Sequence, residues 1–343
     1  MLQTEFSVAG RPVGPEHPPY LIAEIGANFD QSLTTALRLM DVIAAAGADA
    51  VKFQLFRADA MQPPGTELHR IFKSLELNPR WVADLAAAAR ERGLAFLASA
   101  FDLDSLGVLE QAGVPAHKIA SSEALNFPLL EAMAATGKPL FLATGMCDLV
   151  DVAEAVDLLT RRGNRTVAVM QCAALYPLPP AAAHLRVMDT FRAVFGGPVG
   201  FSDHSLGITL ALAAAGRGAC VIEKHVTLDR NSPGPDHFYA LEPGELKALA
   251  DGLRMVHAAL GRPVKLPHPE EMATGRRPGL HALRDLPAGH RITAADLEVR
   301  RPAPGLRARH RDQVVGAVIR RPVAGGAPIQ WEDLIFQEPQ RTE

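Results

Sequence analysis

The chain repeats one pattern eight times: a short apolar run with almost no polar interruption, followed by a segment whose apolar residues have helical spacing. Such runs are typical of parallel strands, because helices cover both faces of a parallel sheet. Eight such units within about 240 residues predict a (β/α)8 TIM barrel. An open nucleotide-binding sheet is disfavoured, since no Gly-x-Gly-x-x-Gly follows the first run. The runs are Tyr20–Glu24, Ala50–Gln54, Leu94–Ser99, Lys118–Ala120, Pro139–Ala143, Thr166–Gln171 and the two that end at Ser202 and Ile222.

The composition changes after the eighth unit, and this change divides the chain. Residues 1–262 carry the eight units and the predicted barrel, whereas residues 263–279 are rich in Pro, Gly, His and Arg and are predicted to form a linker. Residues 280–343 contain short strand-like pieces between Pro-Ala-Gly and Ala-Gly-Gly turns. They predict a small β-rich domain of about 60 residues, a size at which one hydrophobic core gives marginal stability.

Charge and cysteine content restrict the function classes. The formal net charge is −3 and 21% of the residues are charged, which disfavours a nucleic-acid or anionic-membrane partner. The three cysteines include no Cys-x-x-Cys pair, so we expect a reducing compartment rather than a disulfide framework. No apolar run reaches the length of a membrane span, and the first residues lack the apolar core of a signal peptide. We therefore predict a cytoplasmic protein.

Polar side chains recur where the predicted strands end. The active site of a barrel forms at the C-terminal ends of its strands and in the loops that follow them. We therefore expect these residues to meet in one site, although each alone is compatible with an ordinary loop position. The twelve positions are Glu24, Lys52, Gln54, Ser99, Lys118, Ser121, Thr144, Gln171, Ser202, His204, Glu223 and His225.

The lysines and hydroxyls of this set indicate an anionic ligand. Ammonium groups supply charge and hydroxyls supply directional donors, which suits a phosphate or a phosphate together with a carboxylate. A lysine taken alone is more often a solvated surface charge. Lys52, however, lies inside the apolar run Ala50–Gln54, where an unpaired charge would cost several kcal/mol. A bound anion or a nearby carboxylate would compensate for that cost.

His204 and His225 follow adjacent predicted strands, so together they can bind one divalent cation. Imidazole suits Mn, Fe, Co or Zn better than Mg or Ca. From these two residues alone, a pair of core or general-base histidines remains an equal alternative. Glu223 stands two residues before His225 and shares its face of the strand, where it can be a ligand, a base or a substrate holder. Asp236, on a Gly-Pro loop, can reach a sugar hydroxyl or stabilise its own turn.

These residues stand in motifs that resemble the sialic acid synthase family, whose members condense phosphoenolpyruvate with an N-acetylated sugar aldehyde such as N-acetylmannosamine. The resemblance extends from about Tyr20 to Leu334, and the tail resembles the antifreeze-like (SAF, β-clip) domain of that family. The matching motifs are IAEIGAN (Ile22–Asn28), GADAVKFQ (Gly47–Gln54), KIASSE (Lys118–Glu123), TGM (Thr144–Met146), LYP (Leu175–Pro177), FSDHSLG (Phe201–Gly207), IEKHVTLD (Ile222–Asp229) and GPDHFYAL (Gly234–Leu241).

The resemblance implies a role for each position and an assembly. His204 and His225 would hold the metal, usually Mn²⁺, with Mg²⁺ or Co²⁺ as alternatives. The assembly would be a domain-swapped homodimer in which an arginine of the SAF domain, Arg277 or as second choice Arg276, reaches the N-acetyl group in the partner's barrel. The catalytic residues would be Glu24, Glu223 and Lys52. The substrate-binding residues would be Gln54, Ser99, Lys118, Ser121, Thr144, Tyr176, Ser202, Asp236 and Arg277.

Three places depart from the family pattern. The usual Asn-His-Asn-Gly contains Phe29 in its second position, Ala143 stands where a serine usually precedes TGM, and Ala174 stands where a serine or asparagine usually precedes the tyrosine motif. These changes predict a different acceptor or weaker phosphoenolpyruvate binding. Two further hypotheses remain: a metal-dependent aldolase that uses pyruvate, and a non-catalytic sugar-binding barrel.

Overall fold

Eight parallel strands close into a barrel, which confirms the predicted fold. The computed structural model describes residues 1–336 and divides into two compact units, Met1–Gly261 and a second that begins at Arg262. In the first unit each barrel strand pairs with the next along the chain and the last pairs with the first, so no edge is left open. An N-terminal hairpin precedes the barrel. The strands are β1 (Phe6–Val8) and β2 (Arg11–Val13) of the hairpin, then β3 (Tyr20–Glu24), β4 (Ala50–Leu55), β5 (Ala95–Ala100), β6 (His117–Ile119), β7 (Leu140–Ala143), β8 (Val167–Cys172), β9 (Val199–Asp203) and β10 (Val221–His225).

Helices form the outer layer because their apolar residues recur on one face. In the first helix the side chain of Ser32 caps the N-terminus, and Leu39, Met40 and Ile43 are fully buried. The long polar excursion after β4 folds into two short helices above the strand ends. The helices of this unit are α1 (Leu33–Ala46), α2 (Ala58–Met61), α3 (Glu67–Leu75), α4 (Val82–Glu91), α5 (Leu103–Gln111), α6 (Phe127–Ala135), α7 (Leu149–Arg161), α8 (Val187–Phe195), α9 (Thr209–Gly216) and α10 (Pro243–Leu260).

Aromatic side chains fill the barrel interior near the N-terminal ends of the strands. The rings of Tyr20 and Phe141 stack with centroids 5.9 Å apart, and Phe6 of the hairpin packs on Phe141 at 6.1 Å. Phe6, Val8 and Val13 belong to the same buried cluster as the inward-facing residues of these strands. This apolar packing fills the lower part of the barrel, so space for a ligand is left at the C-terminal ends.

The second unit has its own apolar core and short antiparallel strand pairs, as the sequence predicted for a β-rich region. Leu280, Ile292, Ile319 and Ile329 are among its buried core residues. The segment 263–279, expected to be a linker, contains one short helix. The elements are α11 (Pro269–Ala273), β11 (Gly279–Ala282), β12 (Leu297–Arg300), α12 (Arg311–Val314), β13 (Val318–Ile319) and β14 (Leu334–Ile335), with β11 paired to β12 and β13 to β14.

Across residues 1–336, no helix combines the length and the apolar content that crossing a bilayer requires.

Candidate active site

A cavity of about 360 Å³ opens at the C-terminal end of the barrel and collects most of the predicted site residues. It forms there because most strands present polar residues to the interior at their C-terminal ends, whereas the inward-facing residues near their N-terminal ends are apolar. The strands β7 and β8 are the exceptions and contribute Ala143 and Cys172. Residues of adjacent strands are in register, so Glu24 pairs with Lys52 on one side and with His225 on the other. The predicted residues that line the cavity are Glu24, Lys52, Gln54, Ser99, Lys118, Ser121, Tyr176, Ser202, His204, Glu223 and His225.

Lys52 is paired with a carboxylate inside the barrel, which resolves the cost of its burial. Its Nζ lies 2.7 Å from Glu24 Oε2 and donates to Ser99 Oγ at 3.3 Å. Gln54 Nε2 donates to the other oxygen of Glu24 at 3.1 Å. Burial raises the pKa of Glu24 to about 7, against the opposing effect of Lys52, and the charge of Glu223 adds to the increase. Glu24 can therefore gain or lose a proton near neutral pH.

Glu223 lies between the two buried lysines and stays ionised. Its Oε1 lies 3.7 Å from Lys52 Nζ and 3.7 Å from Lys118 Nζ, and Ser202 Oγ donates to it at 3.1 Å. Burial alone would raise the pKa of Glu223, but Lys118, Lys52 and the neighbouring histidines together lower it to about 2. The second oxygen, Oε2, is buried and has no hydrogen-bond partner among residues 1–336. It is free to bind a ligand.

Lys118 keeps donors available for an anion. Besides Glu223, its Nζ is bonded to the backbone oxygen of Ile119 at 3.3 Å. Burial lowers the pKa of Lys118, and only part of that effect is offset by Glu223. An anion between Lys52 and Lys118 would favour the charged form of Lys118 and use the remaining N–H donors.

The rings of His204 and His225 lie next to each other at the cavity. Their ring centroids are 5.6 Å apart. His204 Nδ1 lies 3.1 Å from the backbone oxygen of Ala173, and His225 Nδ1 lies 3.4 Å from the hydroxyl of Tyr239. A carbonyl oxygen can only accept, so Nδ1 of His204 carries a proton, and Nδ1 of His225 donates to Tyr239, whose hydroxyl donates to Asp236 at 2.8 Å. Burial alone would lower the pKa of His204, but a hydrogen bond to the thiol of Cys172 raises it.

This donor set fits a divalent cation with open coordination positions. Burial, together with His204 and Lys52, holds the pKa of His225 well below its usual range, so the ring is neutral, as a metal ligand must be. The described part of the chain contains no group of three or more His, Cys, Asp or Glu side chains arranged around one point. Two imidazoles would therefore hold the ion, and substrate or water would complete its coordination. A site of this kind suits catalysis rather than structural support.

Comparison with known proteins identifies the family. The sequence model of the NeuB family matches residues 39–265, and that of the SAF domain matches residues 277–335. The N,N'-diacetyllegionaminic acid synthase of Legionella pneumophila is 34% identical, with 94% of this chain and 97% of that protein covered. The spore coat polysaccharide biosynthesis protein SpsE of Bacillus subtilis is 39% identical over 78% of this chain and 75% of that protein.

The chain belongs to the NeuB family. A crystal structure of N-acetylneuraminic acid synthetase from Leptospira borgpetersenii superposes with a TM-score of 0.75 at 31% identity and covers 80% of this chain and 95% of that one. The resemblance seen in the sequence motifs, including the SAF domain, is thus confirmed.

Four residues of the predicted set do not line the cavity of about 360 Å³. Thr144 lines an adjoining cavity, and its hydroxyl donates to the backbone oxygen of Met170 at 2.8 Å. Gln171 lines the same adjoining cavity and donates to the backbone oxygen of Ala183 at 3.0 Å. Arg277 is half-buried in the second unit, where its guanidinium contacts the sulfur of Met272. Asp236 borders a third cavity beside Gln54, Tyr176 and His225.

Asp236 is held against the loop that follows β3. Its Oδ2 accepts from Ala27 N at 3.2 Å, and its Oδ1 accepts from the hydroxyl of Tyr239 at 2.8 Å. Gly26 makes this approach possible, because a Cβ there would lie 2.6 Å from Asp236 Oδ2 and the residue has φ +55°. Tyr239 is therefore a candidate site residue that the sequence analysis missed. It connects Asp236 to His225, and its position three residues after Asp236 in the same motif was the available signal.

The three departures from the family pattern have different structural consequences. Phe29 is buried and packs on Phe53 with ring centroids 6.0 Å apart, so it belongs to the core and not to the site. Ala143 and Ala174, by contrast, both line the cavity. Two small apolar surfaces therefore stand where family members usually present polar groups.

Proposed function

We propose that this protein is a nonulosonic acid synthase that condenses phosphoenolpyruvate with an N-acetylated sugar aldehyde and releases phosphate. Its NeuB membership makes it an enzyme of the synthase class. The observation that carries the reaction type is that one cavity holds two buried lysines around an ionised carboxylate and, beside them, two histidines from adjacent strands.

Phosphoenolpyruvate would lie between the lysines. The ammonium groups of Lys52 and Lys118 are the charges available to its phosphate and carboxylate, and the hydroxyls of Ser99, Ser121 and Ser202 supply directional donors nearby. Since the lysines already point into the cavity, little reorganisation accompanies binding. Binding of the anion would also use the N–H donors of Lys118 that Glu223 and the backbone oxygen of Ile119 leave available.

The reaction forms one carbon–carbon bond, and at C2 it replaces the carbon–oxygen bond to phosphate by a bond to the oxygen of water. The electron pair of the enol double bond attacks the aldehyde carbon, the aldehyde oxygen takes a proton, and C2 of the former phosphoenolpyruvate becomes cation-like. Water adds to C2 and gives up a proton. The resulting tetrahedral centre then expels phosphate, and its hydroxyl becomes the keto oxygen as its proton passes to the departing phosphate. Glu223, which stays ionised, stabilises the cation-like centre, and Glu24, with its pKa of about 7, accepts the proton of the water.

A divalent cation, Mn²⁺ in the first instance, would be held by His204 and His225 and would supply Lewis acidity at the aldehyde oxygen. The acceptor sugar would contact Gln54, Tyr176 and Asp236 at the cavity mouth. From the family resemblance, we further propose that Arg277 contacts the N-acetyl group in the partner's barrel of a domain-swapped homodimer. From the three free cysteines, we propose a cytoplasmic location.

Phosphoenolpyruvate labelled with ¹⁸O in its bridging oxygen tests the proposal. The enzyme, Mn²⁺ and N-acetylmannosamine or a diacetamido analogue should yield a keto acid that contains the whole sugar, with the label retained in phosphate. A condensation product from pyruvate without phosphate release would instead support the aldolase hypothesis. Saturable sugar binding without turnover of any aldehyde would support a non-catalytic barrel.

Replacing Ala143 by serine should strengthen phosphoenolpyruvate binding. Ala143 is the last residue of β7 and lines the same cavity as Ser121, so a hydroxyl at this position could donate to the phosphate. One added hydrogen bond to a charged group is expected to lower the KM for phosphoenolpyruvate about 5-fold. Steady-state kinetics at saturating sugar measure the effect. The KM for the sugar serves as the internal control and should not change; an unchanged KM for phosphoenolpyruvate would contradict the placement of the phosphate.

A further inference from the structure

A buried ion pair lies directly behind the two histidines, on residues that the proposed reaction does not use. Lys224 Nζ lies 2.9 Å from Asp203 Oδ2, and both side chains are at most 2% exposed. Asp203 immediately precedes His204, and Lys224 immediately precedes His225. Because side chains alternate along a strand, this pair lies on the outer side of the barrel wall while Ser202 and Glu223 face the cavity.

The same lysine also binds the chain beyond His204. Lys224 Nζ donates to the backbone oxygen of Ser205, and Asp203 Oδ1 accepts from the backbone N–H of Ser205 at 2.8 Å. The second contact closes a tight turn with His204 at its centre. Both residues that flank His204 are therefore bonded to the residue that precedes His225.

The position of these bonds within the sheet is informative. The registered pairing of β9 with β10 ends at Asp203 opposite Lys224, one residue before each histidine. Beyond this point His204 is held by Ala173 through its ring and by Leu178 through its backbone oxygen. Those two partners belong to the segment after β8, so they do not fix His204 relative to β10. The contacts of Lys224 with Asp203 and Ser205 make that connection across the end of the ladder.

We propose that Lys224, Asp203 and Ser205, here called the Lys224 bridge, are positioning residues that set the separation of the His204 and His225 rings and hence the affinity for the divalent cation. A buried ion pair adds little net stability compared with apolar side chains of similar volume, so a purely stabilising role gives a weak account of it. Metal affinity depends steeply on ligand geometry and on the groups that orient the ligands.

The test is the Mn²⁺ affinity of K224M, which keeps the length of the side chain and removes its charge. Calorimetric titration of the full chain after chelator treatment should show a Kd raised about 10–100-fold relative to wild type, the range typical for loss of a ligand-orienting group. Thermal unfolding in chelator reports stability separately. An unchanged Kd in K224M would overturn the proposal.

D49N is a matched control. Asp49 also joins two adjacent barrel strands, since its Oδ2 accepts from Leu21 N at 2.8 Å, but it does so at the opposite end of the barrel. We expect D49N to lower the unfolding temperature and to leave the Mn²⁺ Kd unchanged. If D49N and K224M weaken metal binding equally, the effect follows general destabilisation and the proposal is wrong.

D203N and the double variant D203N/K224M decide the case if K224M folds poorly. D203N keeps an oxygen for Ser205 N and removes the charge, so we expect a smaller increase in Kd; a wild-type Kd in D203N would count against the bridge. The double variant should be no worse than K224M, because both changes disrupt one unit. The inference rests on the proposed metal site. Absence of Mn²⁺ binding by the wild type would reject that site and the bridge together, whereas normal binding by K224M would reject the bridge alone.

Discussion

His225→Ala should abolish metal-dependent turnover. His225 is the last residue of β10 and lines the cavity, and burial holds its pKa well below the usual range, so the ring is neutral. With one imidazole left, His204 alone cannot hold a divalent cation in a defined geometry. Since Lewis-acid activation is worth several kcal/mol, we expect kcat/KM at saturating Mn²⁺ to fall by about 1,000-fold or more. Phosphate release and Mn²⁺ titration measure the two effects.

H117A is the control for removal of a buried histidine. His117 is fully buried at the start of β6, at the other end of the barrel, where its Nε2 lies 2.8 Å from Glu110 Oε1. H117A should lower the unfolding temperature while retaining saturable Mn²⁺ binding. Full activity of H225A would refute the metal assignment, and equal loss of Mn²⁺ binding in both variants would attribute the effect to misfolding.

The sequence predicts the location of the site well because barrel geometry converts position along a strand into position in space. Lys52 and Glu24 are the clearest cases. Each is a charged residue in a buried apolar run, and adjacent parallel strands bring such residues side by side without any information about loops. The same reasoning placed Glu223 and His225 on one face two residues apart.

The loops and the residues just beyond the strands could not be predicted in the same way. Thr144 follows Ala143 by one residue, and that step turns its hydroxyl away from the main cavity to the backbone oxygen of Met170. Asp236 is hydrogen-bonded both to Tyr239 and to the loop after β3, which lies more than 200 positions earlier in the chain. No periodicity in the sequence predicts such a contact. Phe29 illustrates the reverse case, since a departure from a family motif proved to be a core contact.

The division of roles between the two glutamates also depended on three-dimensional distances. In the sequence Glu24 and Glu223 are equivalent candidates for water orientation and proton transfer. Lys118 distinguishes them, because it lies 3.7 Å from Glu223 and helps to lower the pKa of that group to about 2, while burial raises the pKa of Glu24 to about 7. Two carboxylates whose pKa values diverge are commonly assigned different tasks in one reaction.

Glu24→Gln should therefore remove an ionisation from the pH profile as well as slow the reaction. Below pH 7 the carboxyl is protonated and cannot accept the proton of water, so wild-type kcat/KM should rise with pH through about 7. E24Q should be about 100- to 10,000-fold slower and flat across this range. Because the charge of Glu223 raises the pKa of Glu24, kcat/KM of E223Q should still rise with pH, but the rise should occur at lower pH than in the wild type. The pH profiles of kcat/KM are measured at confirmed Mn²⁺ saturation, so that titration of the histidines does not cause the rise. If kcat/KM of E24Q still rises with pH near pH 7, the proton transfer belongs to another group.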